Sequence, residues 1–262
     1  MHIEVAGRRL GYEVDGSGPP LVLLHAFPLN RAMWRPQVAA LRDRFTVITP
    51  DLRGFGESDP PAGPLIMDDY AADVLAMLDA LGYERTALGG CSMGGYVLFR
   101  VVAAAPSRVS ALIVADSRAE PDTEEGRQRR MATIERIQRE GPAAWVEEFA
   151  GTLVGPTTRT QRPGVMAAVR QIIGAPDPRG LTAALSAMAS RLDSRPLLPS
   201  IRVPVLVVVG EEDTLTPPAS SEAMAQALPA ARLVKISGAG HLANLEAPEA
   251  FNRAVREFLL AQ

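Results

Sequence analysis

Short, almost uninterrupted apolar runs recur along the chain, separated by longer segments whose apolar residues lie three or four positions apart. Short apolar runs are typical of strands that are covered on both faces, as in a parallel sheet. We predict such strands at residues 20–25, 45–50, 86–91, 109–115, 203–209 and 231–236. Residues 2–6 and 9–15 alternate between polar and apolar side chains around Gly7, which predicts an opening β-hairpin.

The intervening segments have the periodicity of amphipathic helices. They predict helices at residues 33–42, 67–81, 93–105, 218–228 and 248–260. A chain that alternates between buried strands and helices folds through right-handed crossovers. We therefore predict an α/β protein with a mostly parallel sheet of about eight strands and helices on both faces.

Residues 117–199 interrupt this alternation, because they contain no convincing strand. They offer helical patterns near 123–140, 143–153, 164–173 and 181–192 instead, separated by Gly and Pro. So long a segment is not an ordinary crossover. We predict a helical cap at 117–199, inserted between the sixth and seventh strands of a core formed by 1–116 and 200–262. Open α/β sheets bind ligands at the carboxyl ends of their strands, where such a cap would lie.

Composition narrows the range of partners. The formal net charge is only -3, with no long run of one sign, so we expect neither nucleic acid nor an anionic membrane surface as a partner. The apolar runs are much shorter than the roughly 20 residues that span a bilayer. A single cysteine and no signal-like N-terminus favour a cytoplasmic protein. No group of His, Cys and carboxylate residues has metal-ligand spacing, and no phosphate-binding loop follows a strand, so we expect no cofactor.

The strongest chemical signal is a glycine-rich turn around Ser92. Gly90, Ser92 and Gly94 form the pattern G-x-S-x-G, and Gly95 adds a further small residue. The pattern alone also fits a glycine-rich turn with a solvated serine. Here a predicted strand leads into it and a predicted helix follows it, which is the context in which a serine is raised on a strained turn as a nucleophile.

Four further segments, in order along the chain, carry a family resemblance. Residues 25–28 read His-Ala-Phe-Pro, and residues 51–58 read Asp-Leu-Arg-Gly-Phe-Gly-Glu-Ser. Gly-Glu-Glu-Asp ends at Asp213 after the seventh predicted strand, and Gly-Ala-Gly-His ends at His241 after the last one. With the serine turn, these segments resemble the oxyanion turn, the D-x-R-G-x-G-x-S turn, the acid loop and the histidine loop of the α/β-hydrolase superfamily. The resemblance extends from about residue 19 to the C-terminus.

The resemblance implies a Ser–His–Asp triad, with Ser92 as nucleophile, His241 as base and Asp213 as its acid. Only two other histidines exist, one at the second residue and one in the oxyanion turn, so His241 is also the base by elimination. Asp116, at the end of the sixth predicted strand, is an alternative acid. We favour Asp213 because it lies in the G-x-x-D loop.

The oxyanion hole is expected from the backbone N–H groups of Met93 and Phe27. Ala26 stands where the family usually has glycine, so this turn must keep a negative φ or be strained. We expect Asp51 to be structural and to bond its own turn together with Arg53.

Several other residues have two interpretations. Trp145, Met166 and Met188 could line an acyl pocket, although helical amphipathicity explains them equally well. Arg118 follows the sixth predicted strand and could bind a substrate carboxylate. Cys91 is expected to pack beneath the serine turn as a small apolar residue.

The serine at position 92 argues against the haloalkane dehalogenases and epoxide hydrolases of this superfamily, which carry aspartate there. The short cap resembles that of the small carboxylesterases and 3-oxoadipate enol-lactonases. The expected substrate is therefore a small ester or lactone, hydrolysed through an acyl-enzyme. Pro28 adds the alternative of a cofactor-free perhydrolase or haloperoxidase, and C–C bond or amide hydrolysis also stays open. A ligand receptor with vestigial hydrolysis is the alternative from a different functional class.

Overall fold

The computed structural model describes residues 1–262 and contains one eight-stranded sheet, which confirms the predicted fold class. The strand order is β1-β2-β4-β3-β5-β6-β7-β8. β1 and β2 are antiparallel to each other, β2 is antiparallel to β4, and all other neighbours are parallel. The strands are β1 (His2–Val5), β2 (Arg8–Asp15), β3 (Pro20–Leu24), β4 (Thr46–Pro50), β5 (Thr86–Cys91), β6 (Val109–Ala115), β7 (Val205–Gly210) and β8 (Ala231–Ile236).

Eleven α-helices connect and cover these strands. They are α1 (Arg35–Leu41), α2 (Met67–Ala80), α3 (Met93–Ala104), α4 (Glu124–Glu140), α5 (Ala143–Ala150), α6 (Pro156–Gln161), α7 (Pro163–Ile173), α8 (Pro178–Ala189), α9 (Pro218–Ala227), α10 (Ala243–Glu246) and α11 (Pro248–Leu260). None of them is both long enough and apolar enough to cross a membrane.

Two apolar layers cover the sheet, because successive side chains of a strand point to opposite faces. In β3, Val22 and Leu24 belong to one layer, whereas Leu21 and Leu23 belong to the other. The first layer includes buried residues of α2, α3 and α9, and the second includes those of α1 and α11. The nearly continuous apolar strands of the sequence are therefore explained by burial on both faces.

Helix boundaries differ from the sequence prediction where proline and capping decide them. α8 begins at Pro178, three residues before its apolar pattern, because Asp177 caps it by accepting the N–H of Arg179 and proline suits the first turn. α6 was not predicted at all, since its sequence Pro-Thr-Thr-Arg-Thr-Gln has no apolar periodicity. Residues 31–34, half of which were predicted as α-helix, form a 3₁₀ turn before α1.

Helices α4–α8, here called the inserted helices, lie between β6 and β7. No strand occurs among them, and α4 packs against α8. They stand over the sheet edge at which the parallel strands end. Residues of α4, α5 and α8 line the same cavity as Ser92 and His241, which places these helices beside the residues predicted to carry chemistry.

The loops after six consecutive strands meet at that edge. Paired residues such as Gly90 with Val114 in β5 and β6, and Ala115 with Val208 in β6 and β7, keep the strand ends level. The residues of interest that follow β3 to β8 are, in order, Phe27, Asp51, Ser92, Asp116, Asp213 and His241.

Candidate active site

Ser92 lies on a strained turn between β5 and α3. Its φ of 53° and ψ of -112° are in a region that non-glycine residues rarely adopt. A Cβ atom on Gly90 would lie only 2.5 Å from the carbonyl group of Gly94, and one on Gly94 would clash with the carbonyl oxygen of Leu24. The glycines of the motif are thus required because the helix start presses against two strands.

A hydroxyl group from the neighbouring strand end supports this turn. Ser117, just after β6, donates its Oγ–H to the carbonyl oxygen of Ser92 at 2.8 Å. A Cβ atom on Gly95 would clash with the same hydroxyl. The need for a small residue at position 95 therefore comes from Ser117, a contact that sequence reasoning did not find.

Three residues from separate loops form one chain of hydrogen bonds. Ser92 Oγ lies 2.8 Å from Nε2 of His241, and Nδ1 of His241 lies 2.8 Å from Oδ2 of Asp213. His241 and Asp213 are each 3% exposed and Ser92 is 8% exposed. The structure thus brings together the three side chains that the sequence selected, in the geometry that a nucleophile, its base and an orienting acid need.

Asp213 accepts further hydrogen bonds from its own loop. The N–H groups of Leu215 and Thr216 donate to Oδ1 at 2.8 and 3.0 Å, and the Thr216 hydroxyl donates to Oδ2 at 2.6 Å. Burial by itself would raise the pKa of Asp213, but His241 and these donors outweigh it and hold the pKa below its ordinary value. Thr216 was not singled out from the sequence, although a threonine three residues after an aspartate is a common local hydrogen-bonding arrangement.

His241 has competing influences on its protonation. Burial lowers the pKa of the imidazole, but the charge and hydrogen bond of Asp213, with smaller contributions from Asp116 and Glu246, raise it above 6.5. The imidazolium that forms when His241 takes a proton is therefore stabilised where it forms.

Asp116 is the nearby carboxylate that the sequence offered as an alternative acid. Its oxygens accept the N–H groups of Gly210 at 2.9 Å and Ala243 at 3.1 Å, and it makes no hydrogen bond to the imidazole of His241. Complete burial, with the nearby Asp213 carboxylate, raises the pKa of Asp116 to about 8. It ties the end of β7 to the segment after His241.

The two backbone N–H groups predicted for the oxyanion hole, those of Phe27 and Met93, donate to no other group of the protein. The φ of Ala26 is not positive, so alanine is accommodated in the turn in the way the sequence required.

His25 supports the turn: its Nδ1 lies 2.9 Å from the carbonyl oxygen of Ala26, and its Nε2 accepts the N–H of Leu52 at 2.9 Å. Burial lowers the pKa of His25, which suits a neutral ring with one donor and one acceptor.

The expected pairing of Asp51 with Arg53 is wrong. Asp51 does bond its own turn, through the N–H of Glu57 at 2.8 Å, but its cation is Arg31. The Arg53 guanidinium reaches Asp73 of α2 instead, with Nε at 2.8 Å from the carboxylate. Asp73 lies 20 residues after Arg53, in another element of the fold, so local spacing gave no hint of this pairing.

A cavity of about 360 Å³ opens above Ser92 and His241. Its apolar wall is built around Phe27 of the oxyanion turn, whose ring lies 5.8 Å from Trp145 and 6.0 Å from Phe149 of α5. Trp145 and Phe149 stack on each other at 4.8 Å. The inserted helices thus supply an aromatic surface directly beside the serine.

The two methionines proposed for the pocket are placed differently. Met188 of α8 lines the cavity, whereas Met166 of α7 does not and packs in the second apolar layer with Leu153 and Val169. The pocket interpretation of Met166 is therefore wrong, and its helical amphipathicity explains it. Cys91 is fully buried in the same layer.

The other wall of the cavity carries more cations than anions. Arg118 and two arginines of α4, Arg129 and Arg130, line it, and Asp122 is the lining carboxylate that faces them. Asp122 accepts from Arg118 at 2.8 Å, from Arg130 at 2.5 Å and from the buried Arg191 at 2.6 Å. The buried Nε of Arg118 has no hydrogen-bond partner.

Comparison with known proteins identifies the fold family of the chain. Residues 19–248 match the alpha/beta hydrolase fold family. The 3-oxoadipate enol-lactonase 2 of Acinetobacter baylyi is 29% identical over 94% of this chain and 91% of its own. A thermophilic esterase from Thermogutta terrifontis, solved with malate bound, superposes with a TM-score of 0.96 at 41% identity over 100% of this chain and 98% of its own. The enol-lactonase from Burkholderia xenovorans LB400 superposes with a TM-score of 0.92 at 31% identity, over 99% and 100%.

Proposed function

We propose that this chain, which belongs to the alpha/beta hydrolase fold family, hydrolyses esters or lactones of small carboxylic acids through an acyl-enzyme on Ser92. The observation that carries the proposal is the unbroken hydrogen-bond chain from Ser92 through His241 to Asp213 beneath a cavity. The similarity to an esterase and two enol-lactonases supports the choice of bond.

In the first half of the reaction, Ser92 Oγ attacks the substrate carbonyl while Nε2 of His241 accepts its proton. The oxyanion is stabilised by the free N–H groups of Phe27 and Met93, and Met93 begins a helix whose dipole also favours negative charge. His241 then gives its proton to the departing alkoxide or enolate. Asp213 keeps the imidazole oriented and stabilises its charged form throughout.

In the second half, water takes the place of the leaving group. His241 accepts a proton from the water as it attacks the acyl carbonyl, and the same two N–H groups stabilise the new oxyanion. When the tetrahedral intermediate collapses, the Ser92–acyl bond breaks, and His241 returns the proton to Ser92 Oγ. The products are the acid and the regenerated enzyme.

This mechanism predicts the pH dependence of kcat/KM. His241 must be neutral to act as base, and its pKa lies above 6.5 because the nearby carboxylates outweigh its burial. Activity therefore falls as the pH drops through that raised pKa, and the midpoint of the acidic limb is expected above pH 6.5. A pH series with a neutral p-nitrophenyl ester measures it. A midpoint at or below 6.5 would contradict the role given to the surrounding carboxylates.

The shape of the cavity supports a small acyl group. Phe27, Trp145, Phe149 and Met188 offer apolar contacts within a volume of about 360 Å³. Arg118 lines the same space, and its Nη2 donates to Asp122 at 2.8 Å. With three arginines against one lining carboxylate, the cavity also suits a substrate that bears a carboxylate at the end distant from the scissile bond.

A pair of esters tests this charge preference. We expect the p-nitrophenyl half-ester of adipate to have a higher kcat/KM than the hexanoate ester, and Arg118→Gln to lower the ratio of the two values by about 10-fold, as expected for one charge-assisted hydrogen bond. Arg127→Gln is the matched control, because Arg127 lies in α4, near Arg118 in sequence, but does not line the cavity. If the unaltered enzyme does not prefer the half-ester, the carboxylate preference is wrong even though ester hydrolysis stands. If Arg118→Gln keeps the ratio of the unaltered enzyme, as Arg127→Gln is expected to do, Arg118 does not bind the carboxylate.

A receptor with vestigial hydrolysis is separated from an enzyme by turnover. The proposed function requires many molecules of a short p-nitrophenyl ester to be hydrolysed per molecule of protein, with steady turnover continuing after any initial burst of one equivalent. One equivalent of product followed by arrest would favour a receptor. Pro28 does not line the cavity above Ser92, so no contact of this proline favours the perhydrolase alternative, which stays a prediction from sequence.

A further inference from the structure

The loops that carry the acid and the base are held by a third segment, which comes from the inserted helices. This segment, residues 154–157, follows the 3₁₀ turn after α5 and includes the first two residues of α6. It is more than 50 residues away from either loop in sequence. We call it the 154–157 strut.

Glu246 joins the strut to the histidine loop. Its Oε1 accepts the N–H groups of Gly240 at 2.9 Å and Leu242 at 3.1 Å, which are the two residues that flank His241. Its Oε2 accepts the N–H of Gly155 at 2.8 Å. Glu246 is only 3% exposed, so this buried carboxylate holds backbone N–H groups of both segments in place.

Glu212 joins the strut to the acid loop in a similar way. The N–H of Thr157 donates to Oε2 of Glu212 at 2.9 Å, and the Thr157 hydroxyl donates to Oε1. Glu212 is the residue immediately before Asp213, and its own N–H donates to the carbonyl oxygen of Ala239 in the histidine loop at 2.8 Å. The acid loop, the histidine loop and the strut are therefore linked to one another in pairs.

Glycines let the three segments approach without side chains between them. A Cβ atom on Gly155 would lie 3.0 Å from the nitrogen of Gly240 and 2.9 Å from Cβ of Glu212. A Cβ atom on Gly240 would lie 2.8 Å from the Cα of Gly155, and one on Gly210 would lie 2.7 Å from the carbonyl carbon of Ala239. Such close backbone contact transmits any displacement of the strut to both loops.

We propose that Glu246 and the 154–157 strut are positioning elements of the active site, which set the placement of His241 relative to Ser92 and Asp213. The inserted helices thus help to build the catalytic geometry in addition to covering the cavity. The proposal rests on the proposed function, since it concerns the base of that reaction. It identifies Gly155 and Glu246, neither of which touches the substrate cavity, as residues on which turnover depends.

A pair of Gly→Ala substitutions within the inserted helices tests the strut. Gly155→Ala adds a methyl group between the two loops, and a small displacement of a base from its nucleophile lowers kcat by about 10- to 100-fold. Gly164→Ala is the control, since a Cβ atom there meets nothing within 4 Å, and we expect it to leave kcat unchanged. KM is expected to change little in Gly155→Ala, because the cavity wall is elsewhere.

Glu246→Gln provides an independent measurement. The amide group must point an N–H₂ at one of the three backbone donors, and removing the charge also removes one of the carboxylates that raise the pKa of His241; the others are Asp213 and Asp116. We therefore expect a lower kcat and an acidic limb at lower pH than in the unaltered enzyme. A residue that merely supports the fold would lower the melting temperature without moving the acidic limb.

All three variants are assayed well below their melting temperatures, with kcat, KM, the acidic limb and the rate of labelling by a fluorophosphonate recorded for each. The proposal predicts slower labelling and lower kcat in Gly155→Ala and Glu246→Gln, but not in Gly164→Ala. If folded Gly155→Ala matches Gly164→Ala, or if Glu246→Gln keeps the kcat and acidic limb of the unaltered enzyme, the proposal is overturned. If the unaltered enzyme itself neither labels nor turns over esters, the proposed function fails instead.

Discussion

Ser92→Ala is expected to lower kcat for a p-nitrophenyl ester by roughly 10⁴-fold or more, the scale seen when a serine hydrolase loses its nucleophile. The substitution removes the oxygen that lies 2.8 Å from His241 Nε2, so the reaction must proceed without a covalent intermediate. The melting temperature is expected to change little, because the side chain is small and its partner His241 keeps its bond to Asp213. Steady-state kinetics with a purified, folded variant make the measurement.

Ser117→Ala is the matched control for this experiment. It removes a serine hydroxyl from the same region, one that bonds only the carbonyl oxygen of Ser92 and supports the turn from behind. Its loss should cost far less activity than the loss of Ser92. Comparable losses in both variants would mean that the turn as a whole matters and that Ser92 has no special chemical role.

Asp213→Asn is expected to lower kcat by about 10³- to 10⁴-fold while leaving most of the fold intact. The asparagine cannot accept both the imidazole N–H and the three hydrogen bonds of its loop as the carboxylate does, and it no longer stabilises an imidazolium. Without the carboxylate that raises the pKa of His241, burial dominates, so the acidic limb of any remaining activity moves to lower pH. The kcat and the pH profile are measured together.

Asp116→Asn separates the two candidate acids. Asp116 also lies near His241, but its hydrogen bonds go to the backbone of Gly210 and Ala243, so we expect a loss of activity much smaller than in Asp213→Asn. A larger loss in Asp116→Asn than in Asp213→Asn would reverse the assignment of the acid.

The sheet could be predicted from the sequence because burial on both faces leaves nearly continuous apolar runs. β5, β6 and β8 have the predicted bounds. β7 begins after Pro204, which cannot donate to a ladder, and extends one residue beyond the prediction, to Gly210. The sites after the strands were predictable for a related reason, since parallel strands that end at one edge bring their following loops together. Ser92, Asp213 and His241 could be chosen without coordinates on that basis.

Contacts between side chains that are distant in sequence were not predictable. The partner of Arg53 is Asp73 because α2 packs beside the turn, which no spacing along the chain reveals. α6 could not be predicted for a different reason. Its six residues have no apolar stripe, and the helix forms because of its first proline and its tertiary contacts. The role of Glu246 could not be predicted either. It accepts one hydrogen bond from Gly155 and two from the histidine loop, which begins 85 residues later at Gly240.

The most direct test of the proposed mechanism is covalent labelling. It measures which residue carries the adduct and whether the labelling rate depends on His241. A fluorophosphonate reacts with a serine only when a neighbouring base activates it, and peptide mass spectrometry locates the adduct. We expect a single adduct on Ser92, formed rapidly in the unaltered protein and at least about 10³-fold more slowly in His241→Ala. An adduct on another residue, or equally fast labelling of Ser92 without the imidazole of His241, would contradict it.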